Sequence, residues 1–222
     1  MASKKEVTVT LPEIDFKTVD ITLYGTSPLV THPFPMKAMR QIEEKQMQTA
    51  KTSKHEIRKP WSDFGESLYW LTEPPAEFTE ESIRDAMANG AVFGFHVGGI
   101  KDSAISAAVR RGLVKNAPVA RGMFRICNTK QDHLYKKNCL SIKSAEPPIM
   151  RKDCLSTFSS GADMRYRPQF DDWSIDVSIE YDASAISLEQ LLMWFKLGGF
   201  ACGLGENRAE KGEGWGSYTI EV

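Results

Sequence analysis

The residues best suited by type and spacing to do chemistry are His133, Tyr135, Lys136 and Lys137, which fall together in a polar stretch from Asn128 to Asn138. An imidazole exchanges a proton near neutral pH, and a phenol or ammonium beside it can stabilise the charge that builds on a phosphorane. Such a set would suit acid–base work at a phosphoryl group, with His133, Tyr135 and Lys136 as the candidate residues. The sequence places no second acid–base group opposite them. The simpler reading is therefore a basic loop that contacts phosphate. Of the remaining histidines, His96 lies in the apolar run Ala91–Val97 and reads as a satisfied core residue, whereas His32, between Thr31 and Pro33, could approach a ligand; His55 completes the set. Tyr24 and Tyr166 are further possible partners for an imidazole.

Metal chemistry finds no pattern. Cys127, His133 and Cys139 are separated by five residues at each step, which is too long for a zinc knuckle. HExxH, a Ser-His-Asp order and carboxylates at metal-ligand spacing are missing from the sequence. No cofactor and no metal is expected. The four cysteines form no CxxC pair and read as reduced thiols, since a domain of this size folds without disulfides.

Binding a polyanion needs cations for phosphate and planar groups for bases. A net charge of −1 argues against such a partner, but the average hides segregation. From Arg110 to Lys143 there are nine Lys or Arg against one acid, Asp132; from Met36 to Lys59, seven against three Glu; and from Asp171 to Val222, ten acids against three bases. The expected nucleic-acid contacts are Lys101, Arg110, Arg111, Lys115, Arg121, Arg125, Lys130, His133, Tyr135, Lys136, Lys137, Lys143, Arg165, Tyr166 and Arg167. Tyr135 and Tyr166 would stack on bases, Phe124 would be core, and Lys101 would meet phosphate beside the N–H groups of a helix start.

These residues must be positioned by regular elements. Lys17–Tyr24 alternates like a half-buried strand closed by Gly25–Pro28, and Asp172–Tyr181 alternates strictly. Trp61, Phe64, Leu68 and Leu71 recur at helical spacing after Pro60, with Pro74-Pro75 as a stop, and read as a core stripe. Thr79 or Glu80 caps a short helix ending at Gly90. After Gly98-Gly99, Ile100, Ala104, Ala107 and Ala108 give a helix a small apolar face, and Gly112 ends it. Val119–Lys143 predicts two strands or a long hairpin, RGMFRIC and NCLSIK, joined by a loop over about 128–138. Residues about 152–168, without periodicity, predict a second loop. Ser187 caps a helix carrying Leu188, Leu191, Leu192, Phe195 and Leu197, ended by Gly198-Gly199, and Trp215–Val222 closes as a strand.

Between that helix and strand lies a loop with Gly203, Gly205, Gly212, Gly214 and Gly216. Glycines at this density signal repeated positive φ or the close approach of another backbone. The loop lacks GxxxxGK[ST] and follows no strand, so it is neither a Walker loop nor a dinucleotide fingerprint.

A GhGx(n)GxG loop, with h apolar, between the last helix and last strand resembles that of the repeat-associated mysterious protein (RAMP) superfamily, the RNA-binding backbone and guide-processing subunits of CRISPR effector complexes. The segment Gly98–Ala104, opening an Ala-rich helix, is similar to the helix start of the backbone subunits. The resemblance covers Ala91–Gly112 and Asp172–Val222; the long Gly205-to-Gly212 spacing and the acidic loop depart from the pattern. It implies an α+β, ferredoxin-like (RRM-like) βαββαβ core as one RAMP-like domain over 1–222, with a basic insertion about 35–59 that resembles the family's strand-clasping segments.

The function expected is non-catalytic binding of single-stranded RNA or DNA as a repeating, head-to-tail subunit of a filament or ribonucleoprotein, with other effector-complex subunits as further partners. Two alternatives are a metal-independent guide-RNA-processing endoribonuclease, and a viral anti-defence protein that mimics a backbone subunit or sequesters a nucleotide. No stretch reaches the roughly 18 apolar residues of a membrane helix, and the N-terminal residues lack a signal-peptide h-region. Residence in a prokaryotic cytoplasm, or a host's if viral, is therefore expected.

Overall fold

Alternating apolar and polar residues in two segments far apart in the chain create two half-buried strands that pair with each other along nearly their whole length. In the computed structural model, which describes residues 14–34, 36–47, 59–157 and 161–222, the elements in chain order are β1 (Phe16–Gly25), β2 (Leu29–Val30), α1 (Met36–Gln46), α2 (Pro60–Glu66), β3 (Tyr69–Trp70), α3 (Glu80–Ala88), β4 (Phe93–His96), α4 (Val97–Arg110), α5 (Ala117–Met123), β5 (Phe124–Ile126), β6 (Lys130–Gln131), β7 (Asn138–Ser141), β8 (Ile149–Thr157), β9 (Gly161–Phe170), β10 (Ser174–Asp182), α6 (Leu188–Ala201) and β11 (Tyr218–Glu221). The chain is mixed α+β.

Three antiparallel sheets hold it. The first has the order β11-β1-β10-β5, with β1 and β10 in register from Phe16↔Asp182 to Tyr24↔Ser174. The others are β2-β9-β8 and β3-β4-β7-β6. On the first sheet, Ile21, Leu23, Ile175, Val177, Ile179 and Tyr181 point to one face and join Ile100, Ala104, Ala108, Leu191 and Phe195 of α4 and α6 in the core. The same cluster takes in Phe64, Trp70, Phe93 and Leu140, so the sheets share one hydrophobic interior.

Helix boundaries follow local chemistry. In α3, Thr79 Oγ1 accepts the Ser82 N–H while Ser82 Oγ accepts the Thr79 N–H, a reciprocal cap. In α6 the same exchange links Ser187 and Gln190. Gly198-Gly199 does not end α6, contrary to the sequence expectation. The helix runs on to Ala201, and the glycines serve close packing: a Cβ on Gly199 would lie 1.9 Å from the Tyr218 carbonyl oxygen. A side chain there would push β11 off the helix.

Several further expectations are corrected. Residues 121–123 belong to the last turn of α5, so Arg121 and Arg125 do not share one strand face. RGMFRIC and NCLSIK form no hairpin, because β5 joins β10 whereas β7 pairs β4 and β6. The stretch 128–138 is in part a strand pairing, Lys130↔Cys139 and Gln131↔Asn138. Residues 152–157 and 161–168 lie in a long hairpin, β8 with β9, in which Asp153 stands opposite Arg165 and pairs with the diagonal Arg167 at 2.8 Å. An opposite-charge cross-strand pair of this kind supports a ribbon without apolar alternation, so the hydropathy pattern carried no strand signal. Within the expected insertion, Met36–Gln46 is helical; its Met, Lys, Arg, Gln and Glu are straight-chain helix formers. Pro35, residues 48–58 with His55, and residues 158–160 lie outside the described residues. Among the described residues no helix is long and apolar enough to cross a membrane.

Candidate nucleic-acid interface

The glycine loop folds back on the strand-to-helix junctions. All five of its glycines have positive φ, from +62° at Gly216 to +95° at Gly212. At Gly216 the need is double, since a Cβ would also lie 1.9 Å from the Leu204 carbonyl oxygen. The Leu204 N–H donates to Gly216 O, Gly216 N–H to Pro28 O and Glu206 N–H to Val30 O, each at 2.8–2.9 Å. The loop is thus fastened to the chain between β1 and β2.

Between this loop and α4 runs a cleft of about 520 Å³. Its α4 wall is Gly99, Asp102, Ser103, Ser106, Val109 and Arg110, residues three or four apart and therefore on one helical face. Arg121 of α5 closes one side, and Gly203 to Glu206 with Arg208 and Glu210 the other. His32, Tyr69, Phe95 and His96 form an aromatic end, where Tyr69 packs against Phe95 at 6.5 Å and against His96 at 5.7 Å between ring centroids. Rings and guanidiniums lining one cleft match the two needs of a nucleotide.

Both imidazoles are held neutral. Burial, then the charges of Arg167 and Arg165, lower the pKa of His32 to about 4, against a smaller opposing pull from Asp163. Burial first and Lys137 next lower that of His96, which caps α4 by accepting the Gly99 N–H at Nδ1, 2.9 Å away. A neutral ring that accepts at Nδ1 carries its proton on Nε2, so His96 keeps one donor for another partner. His96 is thus a positioned cap on the cleft wall rather than a core filler.

The cations expected from sequence separate into groups. Arg110 meets Glu210, Arg121 lies 3.2 Å from Asp102, and exposed Arg111 and Lys115 follow the end of α4 without an ion pair among the described residues. Of these four, Arg110 and Arg121 line the cleft. Lys101 does not point to a phosphate; its ammonium donates to the carbonyls of Arg121 and Phe124, and burial depresses its pKa. Arg125 and Lys143 sit on the opposite face of the first sheet. There Arg125 pairs Glu180 at 2.6 Å and Lys143 pairs Asp176, whose carboxyl that contact holds below its ordinary range. Asp20, Asp182 and Glu221 alternate onto the same face. Arg125 and Lys143 are thereby corrected from phosphate contacts to paired charges on an acidic face, whose large rings are confined to Phe16 and Tyr24 at the ends of β1.

Two other members of the set are also tied. Arg167 is 1% exposed, with Asp153 at 2.8 Å and Glu206 at 3.4 Å, so it is a buried structural charge rather than a phosphate contact. Arg165 pairs Asp163 at 3.3 Å, and the ring of Tyr166 packs on the core.

The His133 cluster is organised by Asp132. This buried carboxylate accepts the N–H groups of Leu134, Tyr135 and Lys137 at 3.1, 2.7 and 2.6 Å. His133 Nδ1 lies 2.9 Å from Glu73 and the Tyr135 hydroxyl donates to Glu66 O at 2.5 Å. Burial, with Glu66 next, pushes the Tyr135 phenol well above its ordinary pKa, and its ring packs on Tyr69 at 6.0 Å. Tyr135 is thereby corrected from base stacker to packing residue. Lys130, Lys136 and Lys137 remain exposed beside it.

Sequence reasoning missed Ser106, Asp102, Arg208 and Glu210. The helical spacing of Asp102, Ser106 and Arg110 on the polar side of an Ala-rich helix was the available signal. Nothing local marked Arg208 and Glu210. No family model and no curated protein matches the chain.

Proposed function

We propose that the chain binds single-stranded nucleic acid, RNA or DNA, without cleaving it, on a ferredoxin-like core similar to that of the RAMP superfamily. The connection β1-α4-β5-β10-α6-β11, with β1 and β10 central and β5 and β11 at the edges, supports that core. The observation that carries the function is the cleft along α4. It joins aromatic rings and neutral imidazoles to Arg110, Arg121 and Arg208, opposite an acidic sheet face that would repel phosphate, and exposed Arg111 and Lys115 follow α4 in the chain. The bound His133 and Tyr135 side chains favour binding over acid–base work.

Binding to a labelled single strand and to blunt duplex over a salt series tests this. If about five cations meet phosphate, log K falls against log salt with a slope of about −3.5, and the single strand binds more tightly. A flat response, or equal affinity for duplex, would overturn the reading. A second reading, capture of a small nucleotide, is favoured by the cleft volume of about 520 Å³, which lies within the range of small-ligand pockets. Competition by mono- and cyclic nucleotides separates the two.

A further inference from the structure

Arg110, Arg208 and Ser106 come from α4 and from the glycine loop, yet all converge on one carboxylate. Arg208 donates through Nε and Nη2 to Glu210 Oε2 at 3.0 and 2.8 Å, while Arg110 Nη2 and the Ser106 hydroxyl, the latter at 3.4 Å, meet Oε1. A carboxylate gripped by two guanidiniums and a hydroxyl has the surroundings of a bound phosphate, since both are oxyanions that offer a pair of oxygens to the paired N–H donors of a guanidinium. Burial raises the Glu210 pKa, but the hydrogen bonds and charge of Arg208 and the charge of Arg110 outweigh it, so the group is ionised.

The cleft as folded has three cations, Arg110, Arg121 and Arg208, against three acids, Asp102, Glu206 and Glu210. Such a balance attracts no phosphate until one acid leaves. Glu206 is needed by buried Arg167, and Asp102 lies at the rim with Arg121. Among the described residues the Glu210 carboxylate bonds only to the cleft's own cations and Ser106, while its backbone N–H donates to Cys202 O at 3.1 Å and holds the turn in place. It sits on the single 3₁₀ turn Ala209–Lys211, followed by Gly212, beside whose Cα there is open space. Arg208 is separately anchored through Nη1 to the Gly205 carbonyl at 3.2 Å, so its guanidinium stays in place when the carboxylate swings out.

We propose that Arg110, Arg208 and Ser106 are a phosphate site and that Glu210 is the internal anion that fills it until a nucleotide phosphate displaces it. This rests on the nucleic-acid reading above and deepens it. The experiment compares the wild-type chain with E210Q, a near-isostere without the charge, in binding a labelled single-stranded oligonucleotide and adenosine monophosphate. Thermal unfolding of each protein is recorded alongside. E210Q should bind the oligonucleotide about three- to thirtyfold more tightly, and E210Q/R208Q should lose the gain.

Unchanged or weaker binding by folded E210Q, with the wild type binding well, overturns the phosphate site and leaves the nucleic-acid reading standing. Tighter binding of adenosine monophosphate alone keeps the site and removes the strand. Failure of every protein to bind either probe removes both. Should E210Q not fold, R110Q decides instead, because that side chain is 56% exposed: about a tenfold loss supports the site, and unchanged affinity overturns it.

Discussion

The ammonium of Lys101 donates to the carbonyl of Phe124 at 2.6 Å and lies 4.7 Å from the centre of the Phe124 ring. A second bond, to Arg121 O at 2.8 Å, makes it a clip between the first turns of α4 and the junction of α5 with β5. Lys101→Met therefore lowers stability by about 1–3 kcal/mol, through two lost charge-assisted bonds and two orphaned carbonyls. The salt slope of oligonucleotide binding stays unchanged. Denaturant unfolding and a salt titration check the two halves separately, and a slope reduced by nearly one would return Lys101 to the phosphate contacts.

Arg167 is expected to be among the most sensitive positions in the chain. Its replacement by Met takes one of two cations from Asp153, whose side chain is 10% exposed and keeps Arg151 at 2.6 Å. Losing charge-assisted bonds in such a buried site costs about 2–3 kcal/mol. Arg165→Gln, on the same strand but one-third exposed, costs under about 1 kcal/mol. Urea midpoints for the two variants should differ accordingly; equal midpoints would contradict the buried network.

His32 sets a pH dependence. Its folded pKa of about 4 lies below the ordinary 6.5, so the unfolded chain takes up this proton first as pH falls. The contribution is fully present above pH 6.5 and is lost progressively down to about pH 4, by about 3 kcal/mol. His32→Asn, which cannot protonate, should flatten the stability curve in that window. A curve of unchanged slope would count against the burial of the ring.

The glycine loop gives a paired test. Gly216→Ala meets both a left-handed backbone and the Leu204 carbonyl, whereas Gly212→Ala meets only the former, with nothing within 4 Å. The second should cost about 1 kcal/mol and the first at least twice that, because a clash adds to the strain. Melting temperatures of the two variants decide it.

Assembly can be tested without knowing the strand. The region from Asp171 onward is acidic by seven net charges and Met36–Lys59 is basic by four. A head-to-tail contact between such surfaces propagates into open filaments. Deleting residues 36–59 should abolish cooperative loading on a long oligonucleotide while leaving single-site binding. Sizing with and without the strand checks this, and one wild-type copy per strand at every length would rule the filament out.

Much of the scaffold was legible in the sequence because it rests on local rules. The alternation of Asp172–Tyr181 found β10, the Thr79 and Ser187 caps fixed two helix starts, and five closely spaced glycines announced a left-handed loop. Each depends on residues a few positions apart. The β8–β9 hairpin was not legible, because its strands are joined by rungs such as Asp153↔Arg165 instead of by hydropathy.

The basic segments determined that cations would be abundant; only the tertiary structure decided which were engaged. Arg125, Lys143 and Arg167 meet acids 55, 33 and 14 positions away, and Arg110 meets Glu210 from 100 positions away. A charge's availability depends on what lies within about 4 Å of it. Distance along the chain carries no such information, so the segregated charges of the sequence could not say which cations the fold would pair and which it would leave exposed.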